Sequence, residues 1–273
     1  MDKTKLLDGI PQLDEEDRRR FANALDRAEK ARDGHGLTYA GFFDPRQIAL
    51  LTPVLTRCGF VFRAEAGVGG EAERAVLLFL PDYYAELDTE TLRTLDEYPL
   101  SAIEIQVSGL HQTGKNLTHR DYLGTLMGLG IRRETIGDLY PTESGCTFAC
   151  LREIAPHITA SLDKVSSLRA EASVCGFDRL IPPQPKFKEI KTTLASLRLD
   201  SAVAESFSVS RSEAQESIKK GLVTLNWLEC REVSRPVAEG DKLSFKGKGR
   251  ARIIESGKLT KKGNLFTIIH RYI

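Results

Sequence analysis

"SLRLDSAVAESFSVSRSEAQESIKKGLVTLNWLECREVSRPVAEGDKLSFKGKGR", residues 196–250, carries the strongest pattern in the chain. Leu199, Val203 and Phe207 recur at i, i+4 and i+8, on one face of a helix. Ser210 is placed to cap a second helix, with Glu213 three residues on completing a capping box. Ala214 and Ile218 give that helix its apolar face, and Gly221 stands where a left-handed residue ends it. "VTL" and "KLSF" alternate as strands, with Gly240-Asp241 in the turn before the latter.

The cations of this stretch fall in definable places. Arg211 follows the cap directly, where free backbone N–H groups and the helix dipole favour an anion. Lys219 lies eight residues on, about 80° around the helix, so the two flank a common groove. Arg198 opens the first helix and Lys220 ends the second. Such side chains hold phosphates without reading sequence. A solvated charged face is the alternative.

Arg198-Leu199-Asp200, Ser210-Arg211, Ile218-x-x-Gly221-x-Val223, Asn226 and Gly240-Asp241 resemble the S-four RNA-binding domain over about 50 residues. The resemblance implies an αα-β fold that docks its helices on structured RNA, with Arg198, Ser210, Arg211, Lys219 and Lys220 at the contact. Trp227 stands where that family usually has glycine. A bulky residue resists positive φ, so the turn is expected to differ. Its ring either stacks on a base or covers the sheet.

Outward from this module the charge changes sign. Residues 182–273 hold 18 Lys and Arg against 10 Asp and Glu, whereas residues 1–181 hold 21 against 28. A basic module that meets a polyanion is attached to an acidic body. The tail "RARIIESGKLTKKGNLFTIIHRYI" reads as a terminal hairpin with a basic turn from Lys258 to Asn264. With Lys246, Lys248, Arg250 and Arg252 it broadens the RNA footprint; a solvated turn is the alternative.

Upstream, Pro182-Pro183-x-Pro185 reads as a stiff linker. Before it, "SAIEIQVSGL", the segment from Thr118, "ETIGDLYP", "CTFACL", "EIAPHITASL" and "LRAEASVC" give β-α-β-β-α-β, the order of the ferredoxin-like and RNA-recognition (RRM) modules. Residues 14–32 read as an amphipathic helix, and Asp44-Pro45 opens another that runs to Gly59. "FVFRAEAG" and "RAVLLFLP" follow as strands joined by a glycine-rich turn at 67–70. The expected fold class is therefore α+β in three parts. These are a small N-terminal α+β domain (1–81), a central RRM-like βαββαβ domain (82–181), and an S-four-type domain with a terminal hairpin (182–273).

"THRDYLGTLMGLGIRRETIGDLYP", residues 118–141, contains the His-Arg-Asp of protein kinases. A kinase loop needs Asn five residues after Asp121, where Leu126 stands, and no Asp-Phe-Gly follows. Thr118 and Asp121 instead have the spacing of a helix cap. Gly67-x-Gly69 lacks the third glycine of a nucleotide loop. Gly124 and Gly128 share one helix face, each about 1 kcal/mol worse than alanine. They imply close approach by another backbone or internal helix packing. His119, Arg120, Arg132 and Arg133 make this a second candidate contact for RNA or ribosome. Cys58, Cys146, Cys150, Cys175 and Cys230 form no Cys-x-x-Cys and suggest neither a disulfide framework nor a zinc ribbon. Cys146 and Cys150, on one side of a strand, read as core thiols rather than metal ligands. The longest apolar run, Ala75 to Leu80, is far short of the ~20 residues of a membrane span.

"HRDYLGTLMGLGIRRETIGD", "KFKEIKTTLASLRLD" and "LTKKG" resemble the bacterial YlmH family along nearly the whole chain. That resemblance implies an N-terminal domain, a central RRM-like domain and a C-terminal S-four domain. It also implies association with the large ribosomal subunit and peptidyl-tRNA in ribosome-associated quality control, where stalled chains receive alanine tails, and a link to cell division through gene neighbourhood. Of the aromatics by which RRM sheets stack bases, "GCTFACLRE" and "IEIQVSGL" offer only Phe148.

The expected function is a non-catalytic, cytoplasmic RNA-binding factor, monomeric and without cofactor or metal. Its expected partners are the rRNA of the large subunit, tRNA and the ribosome, not a membrane. The expected contacts are Arg198, Ser210, Arg211, Lys219, Lys220, Trp227, Lys246, Lys248 and Arg250. The alternative is an rRNA-modifying enzyme of pseudouridine-synthase type, delivered by its S-four module, with Asp121 catalytic. A membrane-surface adaptor is disfavoured, because no basic amphipathic helix accompanies the tail.

Overall fold

The computed structural model describes residues 2–10, 13–68, 72–110, 117–259 and 264–273. The chain forms two compact units, Met1–Pro183 and Gln184–Ile273.

The first unit opens with helices α1 (Lys3–Asp8) and α2 (Glu15–Arg32), strand β1 (Thr38–Phe43), helix α3 (Pro45–Arg57) and strands β2 (Phe62–Glu65) and β3 (Ala75–Phe79). α3 starts where Asp44 accepts from the Gln47 N–H at 2.8 Å and the Gln47 side chain accepts from the Asp44 N–H at 2.9 Å. Pro45 at the first helical position loses no helical hydrogen bond there. The strands form an antiparallel sheet in the order β1-β3-β2. Part of the expected glycine-rich turn, residues 69–70, lies outside the described residues.

Both faces of this sheet are buried. Ala40, Phe43, Leu77 and Phe79 pack against Phe21, Leu25, Leu51 and Leu55 of α2 and α3. Phe42, Val76, Leu78 and Leu80 pack the other way, against Leu100, Ala102, Tyr140, Ala149 and Leu151. The apolar run at 75–80 follows from this two-sided burial, since no position of β3 faces water.

The second half of the unit comprises α4 (Thr89–Arg93), β4 (Leu100–Val107), α5 (His119–Gly128), β5 (Ile136–Pro141), β6 (Gly145–Leu151), α6 (Ala155–Ser161), β7 (Lys164–Val165) and β8 (Leu168–Cys175). Its sheet is antiparallel, ordered β5-β6-β4-β8-β7. One face carries Ile103, Ile105, Cys146, Phe148 and Cys150 against Tyr122 and Leu126 of α5 and Ile158 of α6. The other face meets the first sheet. The layers run helices, sheet, sheet, helices. Cys146 and Cys150 are core thiols, which burial pushes up to about 12.

The second unit contains β9 (Phe187–Leu194), α7 (Leu199–Phe207), α8 (Arg211–Lys219), β10 (Val223–Leu225), β11 (Leu228–Glu229), β12 (Lys242–Phe245), β13 (Gly249–Leu259) and β14 (Leu265–Tyr272). Six strands pair in the order β11-β10-β12-β13-β14-β9, so the first strand of the unit closes on the last. Leu199, Val203, Phe207, Ala214 and Ile218 bury one face of this sheet, against Val223, Leu243, Phe245, Ala251, Ile253 and Ile269. The opposite face carries no helix of the unit among the described residues. Residues 260–263, within the expected basic turn and most of "LTKKG", lie outside the described residues.

Candidate nucleic-acid interface

The helix pair is organised around a carboxylate. Asp200 is 0% exposed, yet three side chains reach it. Arg198 Nε donates to Oδ1 at 3.2 Å, Arg211 Nε to Oδ2 at 2.9 Å, and Gln215 Nε2 to Oδ2 at 2.8 Å. The Ser201 N–H adds a fourth bond at 3.0 Å. Burial works to raise the Asp200 carboxyl, but the hydrogen bonds from Arg211, Gln215 and Arg198 outweigh it and hold the group at about 2. Arg198 and Arg211 remain 38% and 53% exposed, gripped by their Nε atoms. Two guanidiniums against one carboxylate leave a net positive charge, held in place before any ligand arrives.

The remaining candidates of this unit divide by what engages them. Ser210 Oγ accepts from the Glu213 N–H at 3.1 Å and thereby starts α8. Lys219 and Lys246 are exposed. Lys220 lies 3.4 Å from Glu216, and Lys248 lies 3.0 Å from Glu213. Gly221 ends the helix at φ +71°, and a Cβ there would meet the Glu229 carboxylate at 2.7 Å.

The hairpin turn corrects one expectation. Asn226 and Trp227 take φ 50° and 72°, the paired left-handed conformation of a two-residue turn, despite the bulk of tryptophan. The turn is tied down from outside. Lys242 N donates to Asn226 Oδ1 at 2.9 Å, and Asn226 Nδ2 donates to Asp241 at 2.7 Å. The Trp227 ring has the Arg250 guanidinium 5.0 Å and the Lys242 ammonium 5.8 Å from its centroid, contacts that favour the strained residue.

The second candidate region is differently built. Asp121 Oδ2 accepts from the Thr118 N–H at 2.7 Å and the Thr118 hydroxyl at 2.8 Å, which hold its carboxyl below the usual range. Its position is that of a helix cap. His119 and Arg120 are exposed on the first turn of α5. Arg132 is exposed beside Glu134 at 3.3 Å. Arg133 turns inward, donating from one Nη to the Ile136 and Gly137 carbonyls, both at 2.8 Å. Burial, followed by repulsion from Arg74, lowers its guanidinium to about 10. A Cβ on Gly124 or Gly128 would meet nothing within 4 Å, so internal helix packing does not account for either. Both line an open groove of ≈ 510 Å³ with Arg120, Leu162, Lys164 and Ser166. Phe148 lies fully buried beneath the helices.

The sequence left unassigned the role of Asp200, which needs three side chains from two helices to become visible. Among the described residues no group of three His, Cys, Asp or Glu is placed to hold a metal ion. Among them, too, no helix is long and apolar enough to cross a membrane.

Two helices on a sheet, with cationic side chains pinned at their N-termini, define an RNA-binding protein with a C-terminal S-four module, and the S4 domain model matches residues 197–243. A second model, described as "Putative RNA-binding domain in YlmH", matches residues 94–176. The chain thus carries, in order, a match to the YlmH RNA-binding domain and a match to the S4 domain. It is 28% identical over 249 residues to the Ribosome-associated protein quality control protein P2 of Bacillus subtilis (strain 168), covering 90% of this chain and 92% of that one. Cell division protein ylmH from Streptococcus pneumoniae superposes with a TM-score of 0.47 at 19% identity, covering 62% of this chain and 97% of that structure.

Proposed function

We propose that this chain is a cytoplasmic, monomeric RNA-binding factor that seats on the large ribosomal subunit. There it grips rRNA and tRNA during quality control of stalled nascent chains, with no chemical step of its own. The observation that carries this reading is the Asp200-centred pair of arginines. Charges fixed before binding lose little conformational entropy when a phosphate arrives, which suits a protein that recognises a folded backbone. Ribosome association and quality control come from the name of the Bacillus relative. Support for an RRM-like central module is the sheet order β5-β6-β4-β8, in which the first and third strands of the module are central. In that module the helix-free face is covered by the first sheet and Phe148 lies beneath the helices, so the RNA grip is assigned to the second unit. Asp121, committed to its cap, is given no catalytic role.

The test is the salt dependence of affinity for tRNA and for large-subunit particles. With about six phosphates neutralised, the logarithm of the association constant falls against the logarithm of salt with a slope of about −4. Arg211→Ala combined with Lys219→Ala reduces that slope by about one. A slope unchanged by the double substitution overturns the reading.

A further inference from the structure

We propose that the helix-free face of the six-stranded sheet in the second unit is a stacking platform for an unpaired stretch of RNA, separate from the helix pair. The inference rests on the unit being an RNA binder, but assigns a different surface and a different state of the ligand.

The strand register places the relevant groups in one row. Asn226, at the Trp227 turn, donates from its backbone N–H to the Lys242 carbonyl at 2.8 Å. Lys242 pairs with Arg252, Arg252 with His270, and His270 with Glu189. Alternation points this set away from the face where Leu243, Ala251, Ile253 and Ile269 meet the helices. Four interstrand steps separate the ends of the row, about 19 Å. At one end stands the Trp227 ring with Arg250 and Lys242 beside it. At the other, Phe187 stacks on His270 with centroids 3.7 Å apart and planes 11° from parallel. Phe187 is 45% exposed. Planar rings at both ends with cations between them are the pattern that holds single strands, bases on the rings and phosphates on the charges.

The Trp227 turn strengthens the case. Glycine is the residue that a positive φ favours, so tryptophan costs this turn backbone strain, which the cations beside its ring offset. The flanking charges favour a polyanion, within a unit holding 18 Lys and Arg against 10 Asp and Glu from residue 182 onward. An acidic protein segment would satisfy the charges and leave the rings unused.

Trp227 is the only tryptophan in the chain, so its emission reports on this site alone. The full-length protein is titrated in dilute salt with an unstructured ten-nucleotide RNA, with an abasic strand of equal length, and with an oligoglutamate peptide. The expected result is emission quenched by the RNA but not by the abasic strand. Trp227→Gly, which suits the turn's φ, weakens binding of the RNA by about tenfold, as loss of one base stack predicts. Phe187→Ser weakens it several-fold while keeping the Trp227 quench, and the quench at saturation survives Arg211→Ala with Lys219→Ala. The proposal is overturned if the RNA does not bind, if it binds without quenching, or if abasic strand or oligoglutamate quenches equally. Failure of tRNA to bind the wild-type chain would instead count against the broader function.

Discussion

Asp200 gives the cationic surface its shape although its own charge is negative. If net charge alone governed RNA affinity, Asp200→Asn would strengthen it; because the carboxylate fixes Arg198 and Arg211, the expected outcome is weaker binding of tRNA at constant salt. The same substitution has a pH signature. The folded carboxyl titrates at about 2 against an ordinary 3.8, so the ionised form is favoured by folding. Its stabilisation is present in full above the ordinary value and is lost as pH falls toward the folded one. Asp200→Asn therefore lowers unfolding stability by roughly 1 to 2 kcal/mol at pH 7, and the deficit shrinks on approach to pH 3. Urea unfolding of both proteins across that range checks the sign; a deficit that grew with acid would contradict it.

At the scale of elements, glycines separate positions that the fold requires from positions it does not. A Cβ on Gly145 would lie 1.7 Å from the Ile105 carbonyl oxygen, where β6 pairs with β4. Gly145→Ala is expected to destabilise the first unit by at least about 2 kcal/mol. Gly124 faces open space within α5, and Gly124→Ala is expected to stabilise it by about 0.5 to 1 kcal/mol in the same assay. Most helix starts were legible in the sequence because caps are local: Asp44 with Gln47, Thr118 with Asp121, and Ser210 with Glu213 are three residues apart and need nothing distant. β1 and β9 were not. β1 is interrupted by Gly41, whose missing side chain accommodates the Glu134 carbonyl at 2.8 Å from a would-be Cβ, a partner more than 90 residues away. β9 is an edge strand, and its outward Lys and Glu residues mute the apolar alternation. The turn at Trp227 escaped for a third reason: the ions that favour it come from β12 and β13, not from its neighbours in sequence.

For the molecule as a whole, what can be divided follows from which faces are shared. Each sheet of the first unit has helices of its own, yet the two are joined by a common cluster that includes Phe42, Val76, Leu78, Ala102 and Leu151. A fragment ending at residue 81 would expose that face to water and is expected not to unfold cooperatively. A fragment starting at Gln184 keeps its whole cluster, with β9 paired to β14, and is expected to fold alone. Circular dichroism melts of the two fragments distinguish these outcomes. The shared cluster also bears on the ligand. A sheet sealed on its far side has no way to inspect the edges of nucleobases, so under the proposed function a target duplex can swap its Watson–Crick pairs freely and still be held, whereas a change in groove width or a displaced backbone is felt at once.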